Sequence, residues 1–278
     1  MHPATACFAG EAMSDRSHFD AGARGYDRGF GSVSPTFIPT LLRLARLDAG
    51  QRVLDVATGT GIAAEAAALI VGPTGQVVAS DVSIPILEQA RERLGGLANL
   101  SFAHENGEAL SFPDGSFDTV LCSMGLMLFP DPARGLAEFR RVLRDGGRAA
   151  VSVGTTYARS FVARISTAIG RHVPSKAPVA ARFFSLGDAE RLRVVLEAAD
   201  FCAVETTTQT HRFRFPSFDA YFAPIDAGLG NVGVEYASLP VDVRRAVRDD
   251  VRRELVGAGA ADSPIEVEVE ILFGCGRK

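Results

Sequence analysis

At 278 residues, 47% hydrophobic and 22% charged, the chain has an ordinary globular composition and enough length to bury a large core, in one elaborated domain or two small ones. Its formal net charge of -4 gives no bulk drive toward nucleic acid or anionic membrane, and it has no run of about twenty apolar residues to span a bilayer. The scattered Cys7, Cys122, Cys202 and Cys275 form no C-x-x-C pair, so neither a zinc site nor a redox dithiol is indicated.

Residues 1–17 are small and polar and are expected to be disordered; they lack the basic start and apolar core of a secretory signal. An amphipathic helix is predicted from Thr36 through Leu47, with Pro39 tolerable in its first turn and Asp48-Ala49-Gly50 as its stop. Strand and helix patterns then alternate. QRVLDVA reads as a strand, Ile62 to Val71 as a helix ended by Gly72-Pro73, and GQVVASD as the second strand. Pro85 opens ILEQARERL, NLSFAHE and FDTVLCSM are the third and fourth strands, and Asp131-Pro132 caps the helix ARGLAEFRRVLR before the strand RAAVSVG. Such alternation implies right-handed crossovers and a parallel sheet covered on both faces.

Past Gly154 the alternation weakens. Residues 155–185 form an insertion beside the strands' carboxyl ends, where a lid over a substrate would lie. GDAERLRVVLEAAD returns as a helix, with Leu192, Val195, Leu196 and Ala199 on one face, and VETTTQTHRFRF alternates as a strand. Residues 217–239 read as a second, irregular insertion, PVDVRRAVRDDVRRELV as a helix, and IEVEVEILFGCG as a closing strand. The expected organisation is a single domain over 18–278, with cap helices over 18–50 and lid insertions over 155–185 and, with the helix that follows, 217–255. On that last helix Arg244, Arg245, Arg248, Arg252 and Arg253 interleave with Asp249, Asp250 and Glu254, an ion-paired solvated face rather than a nucleic-acid surface.

The densest chemistry lies in Val53-Leu54-Asp55-Val56-Ala57-Thr58-Gly59-Thr60-Gly61, a short apolar strand running into a glycine turn and then a helix. The glycines allow close backbone approach, and the helix start presents unpaired N–H groups. Gly59 to Ala64 also fits the loose G-x-G-x-x-A dinucleotide fingerprint, so these residues alone leave two cofactors open. Asp81, at the end of the next strand, suits ribose hydroxyls in either case. Asp55 would repel a pyrophosphate but suits a ligand carrying positive charge.

With the later run Asn106-Gly107-Glu108-Ala109-Leu110-Ser111-Phe112-Pro113-Asp114-Gly115-Ser116-Phe117-Asp118, the chain resembles the class I methyltransferases that use S-adenosylmethionine (SAM). The likeness covers most of residues 17–216 and the final strand, and is closest to the ubiquinone/menaquinone-biosynthesis type and related small-molecule enzymes. It implies a Rossmann-like, seven-stranded, mostly parallel α/β sheet with helices on both faces, an antiparallel last strand and helical lid insertions. Asp55, Ala57, Gly59 and Gly61 match the family's first cofactor motif and would hold the methionine end of SAM. Asp81 would accept from both ribose hydroxyls, with Val82 beside the adenine. Asn106, where an aspartate is usual, can accept from the adenine amine without charge assistance, accompanied by the Gly107 backbone and by Ser123. Phe19-Asp20-x-x-Ala23-x-x-Tyr26-Asp27 looks like the family's N-terminal element, whose tyrosine covers the cofactor and adjoins the substrate.

The run Cys122-Ser123-Met124-Gly125-Leu126-Met127-Leu128-Phe129-Pro130-Asp131 lacks the Asn/Asp-Pro-Pro-Tyr of enzymes that methylate adenine or glutamine amines. Its apolar lip, Met124, Leu126, Met127 and Phe129, suits an apolar or aromatic acceptor methylated at carbon or oxygen. A histidine near neutrality could take a proton from such an acceptor. His18, beside the Tyr26 element, is better placed than His172 or His211, so His18 and Tyr26 are the catalytic candidates. No carboxylate cluster for magnesium is apparent, so no metal is expected. The rival readings are an NAD-type oxidoreductase and a SAM-binding protein without methyl transfer. A small-molecule acceptor, no nucleic acid, no membrane span and a cytoplasmic location complete the expectation; the sequence sets no oligomeric state.

Overall fold

The computed structural model describes residues 33–160, 162–177, 184–257 and 263–278. Strands β1 (Arg52–Val56), β2 (Gln76–Asp81), β4 (Phe117–Ser123) and β5 (Leu143–Gly154) are buried along most of their length, as strands covered on both faces must be. With β3 (Leu100–His104), β6 (Cys202–Phe215) and β7 (Ile265–Arg277) they form one seven-stranded sheet in the order β3-β2-β1-β4-β5-β7-β6. Adjacent strands from β3 to β5 pair in parallel, while β7 runs antiparallel to both β5 and β6. The chain winds outward from β1 to β3 and then returns to place β4 on the other side of β1. A crevice for ligands is expected at that reversal, outside the carboxyl ends of β1 and β4.

The alternating helices are α1 (Ile38–Ala45), α2 (Ile62–Val71), α3 (Ile84–Leu94), α4 (Pro132–Val142) and α6 (Ala189–Ala198), with α5 (Ala163–His172) in the first insertion. α1 is shorter than its sequence pattern: Arg46 takes a left-handed φ of 52° and its N–H closes back on the last turn, so the helix stops before Leu47. Asp131 and Asp188 cap α4 and α6, accepting from Arg134 N–H and Arg191 N–H. The Lys278 ammonium donates to the Arg141 and Leu143 carbonyls at 3.3 and 2.6 Å, at the α4 C-terminus, where positive charge is favoured.

The reading of 217–239 as irregular is corrected. Two helices occupy it, α7 (Phe218–Asp226) and α8 (Gly230–Ala237), followed by α9 (Val241–Val256). Ser217 caps α7, its Oγ accepting from Ala220 N–H at 3.1 Å, and Phe218, Tyr221, Phe222 and Ile225 form a buried i, i+3, i+4, i+7 face. Pro224 inside α7, and Gly228, Gly230 and Gly233 after it, obscure this period in the sequence. On α9, Arg253 pairs with Asp250 at 3.1 Å, and Arg248 reaches toward α7. Arg248 lies over the Phe218 and Phe222 rings and pairs with Asp219 and Asp226 at 2.7 and 2.6 Å, clamping α9 to α7. Two apolar layers flank the sheet, one beneath α1, α2, α5 and the α7–α9 insertion, the other beneath α4 and α6. No helix among the described residues is long and apolar enough to cross a membrane.

Candidate active site

The turn after β1 is fastened to the end of β2. Thr58 N–H donates to the Ser80 carbonyl at 2.9 Å, and Gly59 N–H donates to Asp81 Oδ2 at 2.9 Å. Asp81 Oδ1 accepts from Ser83 N–H at 3.0 Å at the start of α3. Burial pushes the Asp81 carboxyl above the usual range, while the Ser83 and Gly59 N–H groups oppose that shift. A carboxylate offers about four lone-pair directions, so with the Gly59, Ser83 and Val82 N–H groups on it, acceptor capacity remains on a group that lines the cavity. Gly61 caps α2 at a φ of 86°, and a Cβ there would come within 2.5 Å of Leu94 Cδ1. It therefore serves two ends at once, the left-handed turn and the close packing of α2 on α3.

The cavity lies at the predicted reversal. Ala57, Gly59, Asp81 and Val82, from the first two strand ends, line it together with Asn106, Gly107 and Ser123. Asn106 Oδ1 accepts from Glu108 N–H at 3.0 Å, closing a local turn, and its Nδ2 has no hydrogen-bond partner among the described residues. Gly107 is packed against Phe129, whose Cζ would lie 2.4 Å from a Cβ at that position. Behind this loop, Arg141 donates to Glu138, Asp114 and the carbonyls of Leu110 and Phe112, all within 2.7–2.8 Å.

Two residues of the expected set stand elsewhere. Asp55 does not line the cavity; its carboxylate is fully buried, and Oδ2 accepts from Thr58 Oγ1 at 2.6 Å. Burial and the nearby Asp81 charge raise it to about 7, against the Thr58 hydroxyl and the Ala64 N–H. It braces the turn from within. Gly61 likewise packs behind the wall. The apolar lip divides, with Met124 and Phe129 lining the cavity, Met127 lining the adjoining one, and Leu126 buried. His18 and Tyr26 lie outside the described residues. His172 Nε2 meets Asp250 Oδ2 at 3.0 Å on α9, and His211 stacks edge-on with Phe213 at 4.6 Å on β6; neither lines the cavity. No group of three His, Cys, Asp or Glu side chains among the described residues could hold a metal ion. Sequence reasoning missed Asn231 of α8, which reaches the cavity from the segment read as irregular.

The strand order, the glycine turn bound to an acid at the end of β2, and the cavity at the reversal are those of a Rossmann-like α/β fold with its ligand crevice at the switch point. Residues 53–147 match the family model described as "Methyltransferase domain". The chain is similar to the ubiquinone/menaquinone biosynthesis C-methyltransferase UbiE of Hahella chejuensis, 44% identical over 103 residues, covering 36% of this chain and 41% of that protein. The chain thus spans about two fifths of that relative's length. Among solved structures it resembles the YcgJ protein of Bacillus subtilis, with a TM-score of 0.60 at 20% identity, covering 87% of this chain and 98% of that one. It also resembles phosphoethanolamine N-methyltransferase 2 of Haemonchus contortus, solved with S-adenosylhomocysteine, with a TM-score of 0.59 at 19% identity, covering 94% and 59%. At these identities the structural likeness establishes the fold.

Proposed function

We propose that the protein transfers a methyl group from SAM to carbon or oxygen of a small apolar or aromatic metabolite. The observation that carries this reading is the Asp81 carboxylate, held by Gly59 and Ser83 N–H groups with acceptor positions left over at the cavity wall. Vicinal ribose hydroxyls would complete it. Asn106 Oδ1, which keeps a second lone pair beside the Glu108 N–H, suits the adenine amine as an acceptor, and Nδ2 is free to donate to a ring nitrogen. Val82 would flank the base, and Ala57, Gly59 and Ser123 the methionyl end.

SAM supplies an activated methyl on a sulfonium, so the protein's part is chiefly to position the acceptor in line and to exclude water. Met124, Leu128 and Phe129 give the acceptor's approach an apolar surface, which supports an apolar or aromatic partner. The curated relatives named as C-methyltransferases favour carbon over oxygen. From the resemblance of the N-terminal element, His18 is the group proposed to take a proton, and Tyr26 is proposed to cover the cofactor and to orient the acceptor through its hydroxyl. Tyr26→Phe should then leave SAM affinity nearly intact and slow turnover.

Parallel titrations with SAM and NAD test the reading, followed by assay of S-adenosylhomocysteine release over a panel of phenols, quinols and other neutral acceptors. Binding of SAM but not NAD is expected. Binding of NAD alone would replace the reading with the oxidoreductase one, and SAM binding with no product from any acceptor would favour a protein without transfer chemistry.

A further inference from the structure

A second chamber of about 130 Å³ adjoins the cofactor cavity. The two share Ser123, Met124, Leu128 and Asn231, so they meet across that wall. The chamber's remaining surface is largely apolar, with Phe37 of α1, Val232 of α8, and Val269 and Ile271 of β7 prominent in it. An apolar cavity of about 150 Å³ takes up benzene, so this one is of a size for a single ring.

Its polar groups narrow the choice further. Glu270 is the one ionisable side chain among the described residues that line it, and its carboxylate is already bound, to Arg159 Nη1 at 2.5 Å and Thr210 Oγ1 at 3.0 Å. Ser152 Oγ accepts from Met124 N–H at 3.1 Å and lies 3.4 Å from Ser123 Oγ. An acceptor carboxylate or phosphate would therefore be desolvated here without a free cation among the described lining residues to meet it, which is costly. Asn231 differs from its neighbours. It is half-buried at the junction of both cavities, and its carboxamide has no hydrogen-bond partner among the described residues. One amide thus offers a donor and an acceptor where a methyl group would pass from one chamber to the other.

We infer that Asn231 binds and orients the methyl acceptor through a hydroxyl or carbonyl group, and that the chamber behind it admits an uncharged, ring-sized moiety and rejects anions. This rests on the methyltransferase reading above.

The test is equilibrium binding of phenol, toluene and benzoate to the full chain saturated with S-adenosylhomocysteine. Phenol should bind saturably and more tightly than either of the others. In Asn231→Leu, which keeps the branched heavy-atom outline and removes the amide, phenol should weaken about three- to tenfold, the worth of a neutral hydrogen bond, and fall to the level of toluene. Asn231→Ala should weaken phenol in the same way, so that misfolding of one variant does not decide the question. Benzoate binding as tightly as phenol, or phenol affinity unmoved by both substitutions, would overturn the inference. If S-adenosylhomocysteine binds and the phenol series fails, this inference alone falls; if S-adenosylhomocysteine does not bind, the methyltransferase reading falls and takes this one with it.

Discussion

Gly59 N–H donates to Asp81 Oδ2 at 2.9 Å, so one carboxylate joins the turn after β1 to the end of β2 and faces the cavity at the same time. Asp81→Ala should therefore act twice. It removes the acceptor proposed for the ribose, weakening SAM by roughly 1.5–3 kcal/mol, the range for hydrogen bonds to a charged group, and it releases the Gly59 and Ser83 N–H groups. Asp81→Asn keeps one acceptor oxygen and should retain more affinity than the alanine variant. Calorimetry separates the cases; unchanged SAM affinity in Asp81→Ala would refute the ribose role.

The two turn glycines should fail differently. Both have left-handed backbone, at φ 58° for Gly59 and 86° for Gly61, but a Cβ at Gly59 meets nothing within 4 Å whereas one at Gly61 strikes Leu94 Cδ1. Gly61→Ala combines backbone strain with overpacking and should cost about 2–4 kcal/mol of stability. Gly59→Ala should cost about 1–2 kcal/mol from the backbone alone, yet place its methyl on the cavity wall and weaken SAM out of proportion. Denaturant unfolding and SAM titration on both variants check the split.

The legible parts of the molecule were those in which period and punctuation agreed. β1 through β5 follow apolar runs bounded by glycine, proline and capping aspartates, and their alternation with helices dictates the parallel sheet. Asp55 misleads because β1 is buried on both faces, so alternation does not say which side chains meet a ligand. Its nearness to Thr58, which seals it, emerges only when the turn is folded. α7 and α8 were hidden by Pro224 and three glycines, and Asn231 with them. Asn231, one of four residues that line both cavities, thus came from a stretch whose apolar period was broken, and nothing in its own sequence neighbourhood announced it.

Arg141 holds the segment behind the cavity. Its guanidinium bridges Glu138 and Asp114 and donates to the Leu110 and Phe112 carbonyls, and Glu138 in turn accepts from Leu110 N–H at 2.8 Å. Lysine cannot reproduce this planar fork. Arg141→Lys should lower stability by about 1–3 kcal/mol and weaken SAM severalfold by loosening the segment that carries Asn106 and Gly107. The Arg141 partnership holds Glu138 below the usual carboxylate range. That share of stability is present above the unfolded-state value and lost as pH falls through the folded one, so the wild-type chain should lose its advantage over Arg141→Lys in acid. Thermal melts of both proteins between pH 3 and 7 measure this.

Asp55 predicts the opposite slope. Its folded-state value of about 7 lies above the ordinary 3.8 because the carboxylate is buried beside Asp81. The folded chain therefore binds a proton that the unfolded chain has already released, and stability drains away as pH rises from about 4 through about 7. Between pH 6 and 8 the loss should be roughly 1–1.5 kcal/mol, or a few degrees in Tm for a chain of this size. Asp55→Asn keeps an acceptor for the Thr58 hydroxyl and cannot ionise, so its melting temperature should lose this decline while other groups leave their usual trend in both proteins. Equal Tm slopes for wild type and Asp55→Asn across pH 6–8 would mean that the carboxylate does not titrate there.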